Sequence, residues 1–229
     1  MTARHRAADH VAYDRVKRAM DVVVAGLLLV ATAPVMLFVA TAILVGTGRP
    51  VLFRQHRPGR HGALFTLVKF RTMRPSGRMS VDPRDDGDRL TPLGRWLRAT
   101  SLDELPTLWN VLRGDMSLVG PRPLLPQYLD RYSPREARRH EVRPGVTGLA
   151  QVRGRNELDW TARFEYDVWY VDHRSLHLDL RILGETAVAV FRRTGISAPD
   201  APTAHEFVRV PAGHAAGAGG SDRSEERVA

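Results

Sequence analysis

The sequence predicts an α+β fold, mainly helical with one β-hairpin, in which a membrane-associated domain hangs on an N-terminal, Pro-broken re-entrant membrane helix. Three observations predict it. Residues 22–45 are an uncharged apolar run, long enough to cross a bilayer, with Pro34 near its middle. Residues 51–53 and 64–70 alternate as strands around a turn rich in Gly and Pro, and most segments after them repeat with helical spacing.

At 229 residues and 43% hydrophobic, the chain suffices for one domain with a sizeable core plus appendages. A net charge of +9 predicts an anionic partner: a membrane surface, phosphorylated substrates or nucleic acid. Cysteine is absent, which excludes a disulfide framework, a thiol nucleophile and a Cys-based zinc site. His173 and His177 have i, i+4 spacing but no third ligand in view, so no metal is assigned to them.

Residues 1–14 are polar and basic at the start and are expected to be disordered. The apolar run that follows Lys17, Arg18 and Asp21 is too long for a signal peptide and lacks a cleavage site. Both flanks are basic: Arg4, Arg6, Arg15, Lys17 and Arg18 before it, Arg49, Arg54, Arg57 and Arg60 after it. That symmetry is best satisfied if both ends stay cytoplasmic, and Pro34 deletes a helical hydrogen bond where the chain would turn. A helix that dips in at residues 15–48, turns at Ala33-Pro34 and returns is therefore expected, with Thr32 available to a freed carbonyl. A plain spanning helix is the alternative.

Residues 57–62, Arg-Pro-Gly-Arg-His-Gly, form the cationic turn of the hairpin, and the second strand places Lys69 and Arg71 on one side with Phe70 on the other. Residues 74–89 lack periodicity and read as a loop; Asp82, Asp85, Asp86 and Asp88 lack the glycine and terminal Glu of a calcium loop. Residues 93–98 form a short helix that ends on Arg98.

Residues 101–123, SLDELPTLWNVLRGDMSLVGPRP, carry the chemistry. Asp103 and Glu104 are neighbours, so on a helix they point about 100° apart and have separate jobs. Ser101 and Glu104 fit a capping box, which would put both acids in a first turn that keeps them ionised. Pro106 lies too deep for that turn, so the helix starts later or kinks. An ionised Asp is a nucleophile toward phosphorus and an ionised Glu a Mg²⁺ ligand, while Gly120-Pro121-Arg122-Pro123 is a stiff turn that presents one guanidinium. Arg98, five residues before Asp103, is in reach of the same phosphate.

Residues 128–140 are expected as a charged helix on an outer face, and residues 143–148 as a tight turn. Residues 151–156 make a second Gly-containing approach with Arg153 and Arg155. The aromatic residues between Trp160 and Tyr170 are read as packing, and 176–191 as an amphipathic helix that lies on the membrane or in the core. Residues 199–229 are expected to be a flexible tail.

The strings DELP at 103–106, NVLRGDMSLVGPRP at 110–123, KFRTM at 69–73 and RPGVTG, AQV and GRN between 143 and 156 resemble the monotopic polyprenyl-phosphate phosphoglycosyl transferases, a bacterial sugar transferase family. The resemblance covers roughly residues 17–197 and includes the Lys-Arg-x-x-Asp start and Pro34 of a Pro-broken membrane hairpin. It implies a cytoplasmic catalytic domain at 49–198, on the inner face of the cell membrane, that moves a sugar 1-phosphate from a UDP-sugar to undecaprenyl phosphate. By this resemblance Asp103 forms a phosphosugar-aspartyl intermediate and releases UMP, Glu104 holds Mg²⁺, and Lys69, Arg98, Arg122 and Arg155 bind phosphate. Anionic lipids and downstream glycosyltransferases are the implied partners. Leu149, Arg153 and Thr107 depart from residues common in the family (Trp, Asn and Gln), so galactose, glucose, N-acetylated hexosamine and diacetamido sugars all stay open. Two other classes compete. A nucleotide-sugar hydrolase would share the covalent step, and a basic membrane-tethered binding protein would share the charge; nucleic acid is not expected, because no recognition motif is present and aromatics are only 7%.

Overall fold

The computed structural model describes residues 3–74, 86–154, 158–192 and Phe207. Helix α1 (Ala3–Thr47) leads into strands β1 (Leu52–Pro58) and β2 (Leu64–Phe70), then into helices α2 (Asp86–Arg89), α3 (Pro92–Ala99) and α4 (Thr107–Arg113). Strand β3 (Ser117–Val119), helix α5 (Pro134–Ala137), strand β4 (Gly145–Thr147) and helices α6 (Leu149–Arg153), α7 (Trp160–His173) and α8 (Leu176–Arg192) complete the order. The mainly helical α+β class is the expected one.

Helix α1 differs from expectation in two ways. It is already helical at Ala3 where disorder was expected, and Tyr13 and Asp14 are fixed, the first donating to Asp179 at 2.8 Å and the second paired with Arg174 at 3.7 Å. It also continues as one helix through Pro34, where two helices and a turn were expected. A proline deletes one N–H and leaves the rest of the ladder to carry the helix. Thr32 does not serve the carbonyl four residues before Pro34; its hydroxyl donates to the Leu28 carbonyl at 2.6 Å. By length and composition α1 could cross a membrane. Its apolar surface is largely bare, with Val30 78%, Leu37 71% and Val45 83% exposed.

One stripe toward each end of that apolar run, in contrast, is core. Ala25, with Val24 and Leu29, packs into a cluster with Phe65, Leu67, Leu108 and Val111. Val39 and Ile43, with Met36, pack into a second cluster with Phe70 and Leu97. Between the two contacts, residues 30, 31 and 33–35 are exposed. Polar anchors fix each end. Buried Asp21 accepts from the Leu118 N–H at 3.0 Å, and Arg18 donates to the Val111 and Leu112 carbonyls that end α4. At the other end Gly48, at φ +72, terminates the helix, and Arg71 donates to the Thr47, Gly48 and Arg49 carbonyls.

The expected hairpin is present: β1 and β2 pair antiparallel from Leu52 opposite Phe70 to Pro58 opposite Leu64. Buried Asn110 on α4 acts as a third partner to β2, accepting from the Val68 N–H at 3.1 Å and donating to the Thr66 carbonyl at 2.8 Å. The turn expected at 143–148 is instead strand β4, parallel to β3, with Ser117 opposite Gly145 and Val119 opposite Thr147. Three-residue strands carry too little alternation to be visible in a sequence. The single helix expected at 128–140 is three short pieces, broken at Ser133-Pro134, and Arg139 inside it is buried. Helix α7 buries Phe164 and Tyr170 as expected but leaves Trp169 46% exposed and stacked on His173, and α8 buries Asp179 and Ile182 while exposing Leu180 and Val188. One residue of the expected tail is fixed: Phe207 is buried among Tyr128, Tyr132, Trp160 and Phe164.

Helix α3 starts as its sequence demands, with the Thr91 hydroxyl accepting from the Gly94 N–H and Pro92 in the first turn. A Cβ on Gly94 would lie 1.9 Å from the Thr72 carbonyl oxygen. Gly94→Ala is expected to cost at least about 1–3 kcal/mol, read as a lower thermal midpoint. It should also lower turnover, since Thr72 is the residue that holds Arg98.

Candidate active site

The chain turns from α3 into α4 through Ser101, which sits at φ +57, and one 3₁₀ turn, Leu102–Glu104. The expected capping box is absent among the described residues: Ser101 makes no side-chain cap, and Pro106 is the N-cap of α4. A left-handed residue before the turn swings Glu104 inward instead of back onto its own helix. A capping box is formed elsewhere, where the Ser133 hydroxyl accepts from the Glu136 N–H and the Glu136 carboxylate from the Ser133 N–H.

Freed from capping, Glu104 becomes the electrostatic centre of the site. One of its oxygens, Oε1, accepts from Lys69 Nζ at 2.5 Å and from Arg122 Nη2 at 2.8 Å. Three of the expected residues thus come from β2, the 3₁₀ turn and the Gly-Pro-Arg-Pro turn after β3. Burial alone would raise the Glu104 pKa, but the charges of Arg122 and Lys69 and their hydrogen bonds hold it well below the usual carboxylate range. Lys69 is pushed down by burial and partly restored by Glu104. Arg122 is raised chiefly by the Glu104 charge.

Asp103 lies beside them and is only 9% exposed. Among the described residues its carboxylate receives no hydrogen bond and no ion pair, so its lone pairs are not committed to the fold. Its pKa is raised to about 6, first by burial and then by the Glu104 charge, against the pull of Lys69, Arg98 and Arg122. Both acids were expected to be ionised; Asp103 remains so at neutral pH but gives up its proton far less readily than Glu104. The charge of Arg98 acts on the same carboxylate, and its Nε donates to the Thr72 hydroxyl at 3.1 Å. Arg155 lies outside the described residues. Pro34 is exposed in the middle of α1.

A nucleophilic Asp103 must be ionised, so the rate of its first chemical step should rise with pH through about 6 and level off above. Replacing Glu104 by glutamine removes the neighbouring negative charge and leaves the cations, which should move that limb to lower pH. Single-turnover rates between pH 5 and 8 measure both.

The donor set suits Mg²⁺ in one way only. Among the described residues no three His, Cys, Asp or Glu side chains gather to hold a metal, so a cage made of protein alone is not what this site offers. Mg²⁺ commonly takes one or two carboxylates with substrate phosphates and waters, and Glu104 keeps its second oxygen clear of Lys69 and Arg122.

Several residues not assigned to the site from the sequence support the cluster: Thr72 holds Arg98, while Arg57 and Arg139, the latter paired with Asp167, hold carbonyls of the Gly-Pro-Arg-Pro turn. The one available signal was a lone acid, Asp167, on an aromatic helix face.

The family model described as bacterial sugar transferase matches residues 12–193. The chain is 49% identical over 191 residues to an uncharacterized sugar transferase, EpsL, of Bacillus subtilis, covering 83% of this chain and 95% of that protein. It is 47% identical over 186 residues to a UDP-glucose:undecaprenyl-phosphate glucose-1-phosphate transferase of Caulobacter vibrioides, covering 77% of this chain and 70% of that one. It is 40% identical over 196 residues to an undecaprenyl-phosphate galactose phosphotransferase of Salmonella typhimurium, covering 78% of this chain but only 41% of that longer protein.

Proposed function

This chain belongs to the bacterial sugar transferase family, and on that premise we propose that it transfers a sugar 1-phosphate from a UDP-sugar to undecaprenyl phosphate. The observation that carries the proposal is an uncommitted, buried Asp103 beside a Glu104 neutralised by Lys69 and Arg122. The Asp103 carboxylate attacks the phosphorus that bears the sugar, the bond from that phosphorus to the bridging oxygen breaks, and UMP leaves with the bridging electrons. An oxygen of undecaprenyl phosphate then attacks the same phosphorus and the Asp103 carboxylate departs, giving the polyprenyl-diphosphate-sugar. Arg98 and Arg122 orient phosphate oxygens, and Arg155 is assigned to the same task by family resemblance. In phosphoryl transfer such positioning and charge stabilisation is most of what a protein contributes. Mg²⁺, held by Glu104 with the diphosphate, would neutralise charge on the leaving group.

The membrane part of the proposal is re-entrance. Both ends of the apolar run rest on the same domain through Asp21 and Arg71, while its middle around Pro34 is bare. A straight spanning helix would carry one of those ends across the bilayer; an arch whose apolar apex enters from the cytoplasmic side would not. The site then lies where a lipid acceptor and a soluble donor meet, with the basic flanks on anionic headgroups, and its product feeds glycosyltransferases that extend the glycan. Because the chain has no cysteine, single cysteines placed at Val16 and Gly46 test this directly. Both should react with a membrane-impermeant thiol reagent only from the cytoplasmic side, and labelling from opposite sides would overturn it.

Activity is tested by incubating detergent-solubilised protein with UDP-sugars, Mg²⁺ and undecaprenyl phosphate. UMP and lipid-linked sugar should appear in equal amounts. Steady UMP release without any lipid acceptor would point to a hydrolase, and no turnover with any UDP-sugar would point to a binding protein.

A further inference from the structure

The Gly-Pro-Arg-Pro turn has a problem set by its own composition. Pro121 and Pro123 lack N–H groups, so beyond the Gly120 N–H, which donates to the Thr147 carbonyl at 2.9 Å, this stretch is pinned through its carbonyls. Each of three consecutive carbonyls has a donor: Gly145 N–H on Pro121 at 3.0 Å, Arg139 Nη2 on Arg122 at 2.8 Å and Arg57 Nη1 on Pro123 at 3.4 Å. The middle contact is the unusual one, because its donor is a charge 2% exposed. Arg139 is held there by Asp167, whose Oδ2 accepts from Nη2 at 2.7 Å and from Nε at 3.1 Å. Its Nη1 donates to the Tyr132 hydroxyl at 3.2 Å, and the Tyr132 and Phe164 rings lie 5.7 and 5.6 Å from the guanidinium carbon. Burying an ion pair is costly and adds little net stability compared with apolar packing, whereas its fixed geometry specifies one arrangement. What it fixes here is the backbone of the residue whose guanidinium meets Glu104 at 2.8 Å.

We propose that Arg139, locked by Asp167, is a positioning residue for the transfer reaction, setting through the Arg122 carbonyl where the Arg122 guanidinium meets the transferred phosphate. Asp167 on α7, Arg139, Arg122 and Glu104 form one line of contacts that ends beside the reacting Asp103. The inference rests on the role given to Arg122 above. Lysine in place of Arg139 keeps the charge but cannot bond Asp167, Tyr132 and the carbonyl together with a planar fork.

The test is a double-mutant cycle on phosphosugar transfer to undecaprenyl phosphate, measuring kcat and the KM for UDP-sugar. Arg139→Lys should lower kcat by about 10²-fold, the usual cost of a misplaced reacting group, with KM changed far less. In an Arg122→Ala background the same substitution should cost almost nothing more, because its effect passes through Arg122. Asp167→Asn should behave like Arg139→Lys. Tyr132→Phe removes one hydrogen bond without emptying the core, and should lower kcat in the same direction by less, so the outcome does not depend on a variant that fails to fold. Losses that multiply in the Arg122→Ala background, or an unchanged kcat in Tyr132→Phe and Asp167→Asn, would overturn this inference alone. Full turnover in Arg122→Ala itself would overturn the role given to Arg122 as well.

Discussion

Asp103→Asn is expected to remove transfer and, at neutral pH, to make the protein more stable. The amide cannot attack phosphorus, so turnover should fall at least about 10³-fold, as when a nucleophile is deleted from a site whose other parts remain. No phosphosugar adduct should be trapped on the protein, while nucleotide-sugar binding should persist. The stability change follows from the raised pKa, from 3.8 to about 6. Below about pH 4 the native and unfolded states both hold this proton and the group is neutral in the balance. Above about pH 6 the native state must carry a buried charge that the unfolded chain carries freely, so the wild type loses up to about 3 kcal/mol there. Asparagine avoids that cost. Thermal midpoints of the two proteins should therefore converge at pH 4 and separate at pH 7.5, with the variant higher; a wild type that is the more stable at pH 7.5 would contradict the burial argument.

Asp179→Ala is expected to give the largest loss of stability. Asp179 is 0% exposed and accepts from Lys17 Nζ and Tyr13 at 2.8 Å and from Tyr170 at 2.7 Å. Removing it leaves a largely buried ammonium and the Tyr13 hydroxyl without that acceptor, and Tyr170 with only the Val119 carbonyl at 3.2 Å, a defect worth about 3–5 kcal/mol. For a chain of this size the thermal midpoint should drop by roughly 6–20 °C. Lys17→Met added to Asp179→Ala should recover part of the loss, since the stranded charge is then gone; a further drop would show that the ion pair is not what Asp179 supports. Because the contact joins the start of α1 to α8, protease sensitivity should rise at that end first.

Much of this architecture was legible in the residues. The apolar run, the hairpin at β1 and β2 and helix α3 were readable because periodicity, turn residues and charge type are local properties, whereas Lys69, Glu104 and Arg122 were grouped only by family resemblance. What was not legible depended on partners distant in sequence. Glu104 looked like a cap for Ser101 because nothing in S-L-D-E announces a lysine from β2 and an arginine from the turn after β3. Arg139 looked like a surface charge among the arginines of R-E-A-R-R-H until Asp167 was brought to it by α7. The parallel pair β3 and β4 was invisible because its specification lies in close backbone contact: a Cβ on Gly145 would stand 2.1 Å from the Gly120 nitrogen. Phe207 gave no sign in its Ala- and Pro-rich surroundings that it would fill an aromatic cluster.

Helix α1 lends Ala25 to one interior cluster and Val39 and Ile43 to the other, so what remains when it is deleted is an unfinished globule with two open seams. During synthesis those three side chains precede the β2, α3 and α4 members of their clusters and must wait for them. The apolar segment is thus a template on which the later domain closes, and severing the two should yield aggregation in place of a smaller, freely soluble enzyme.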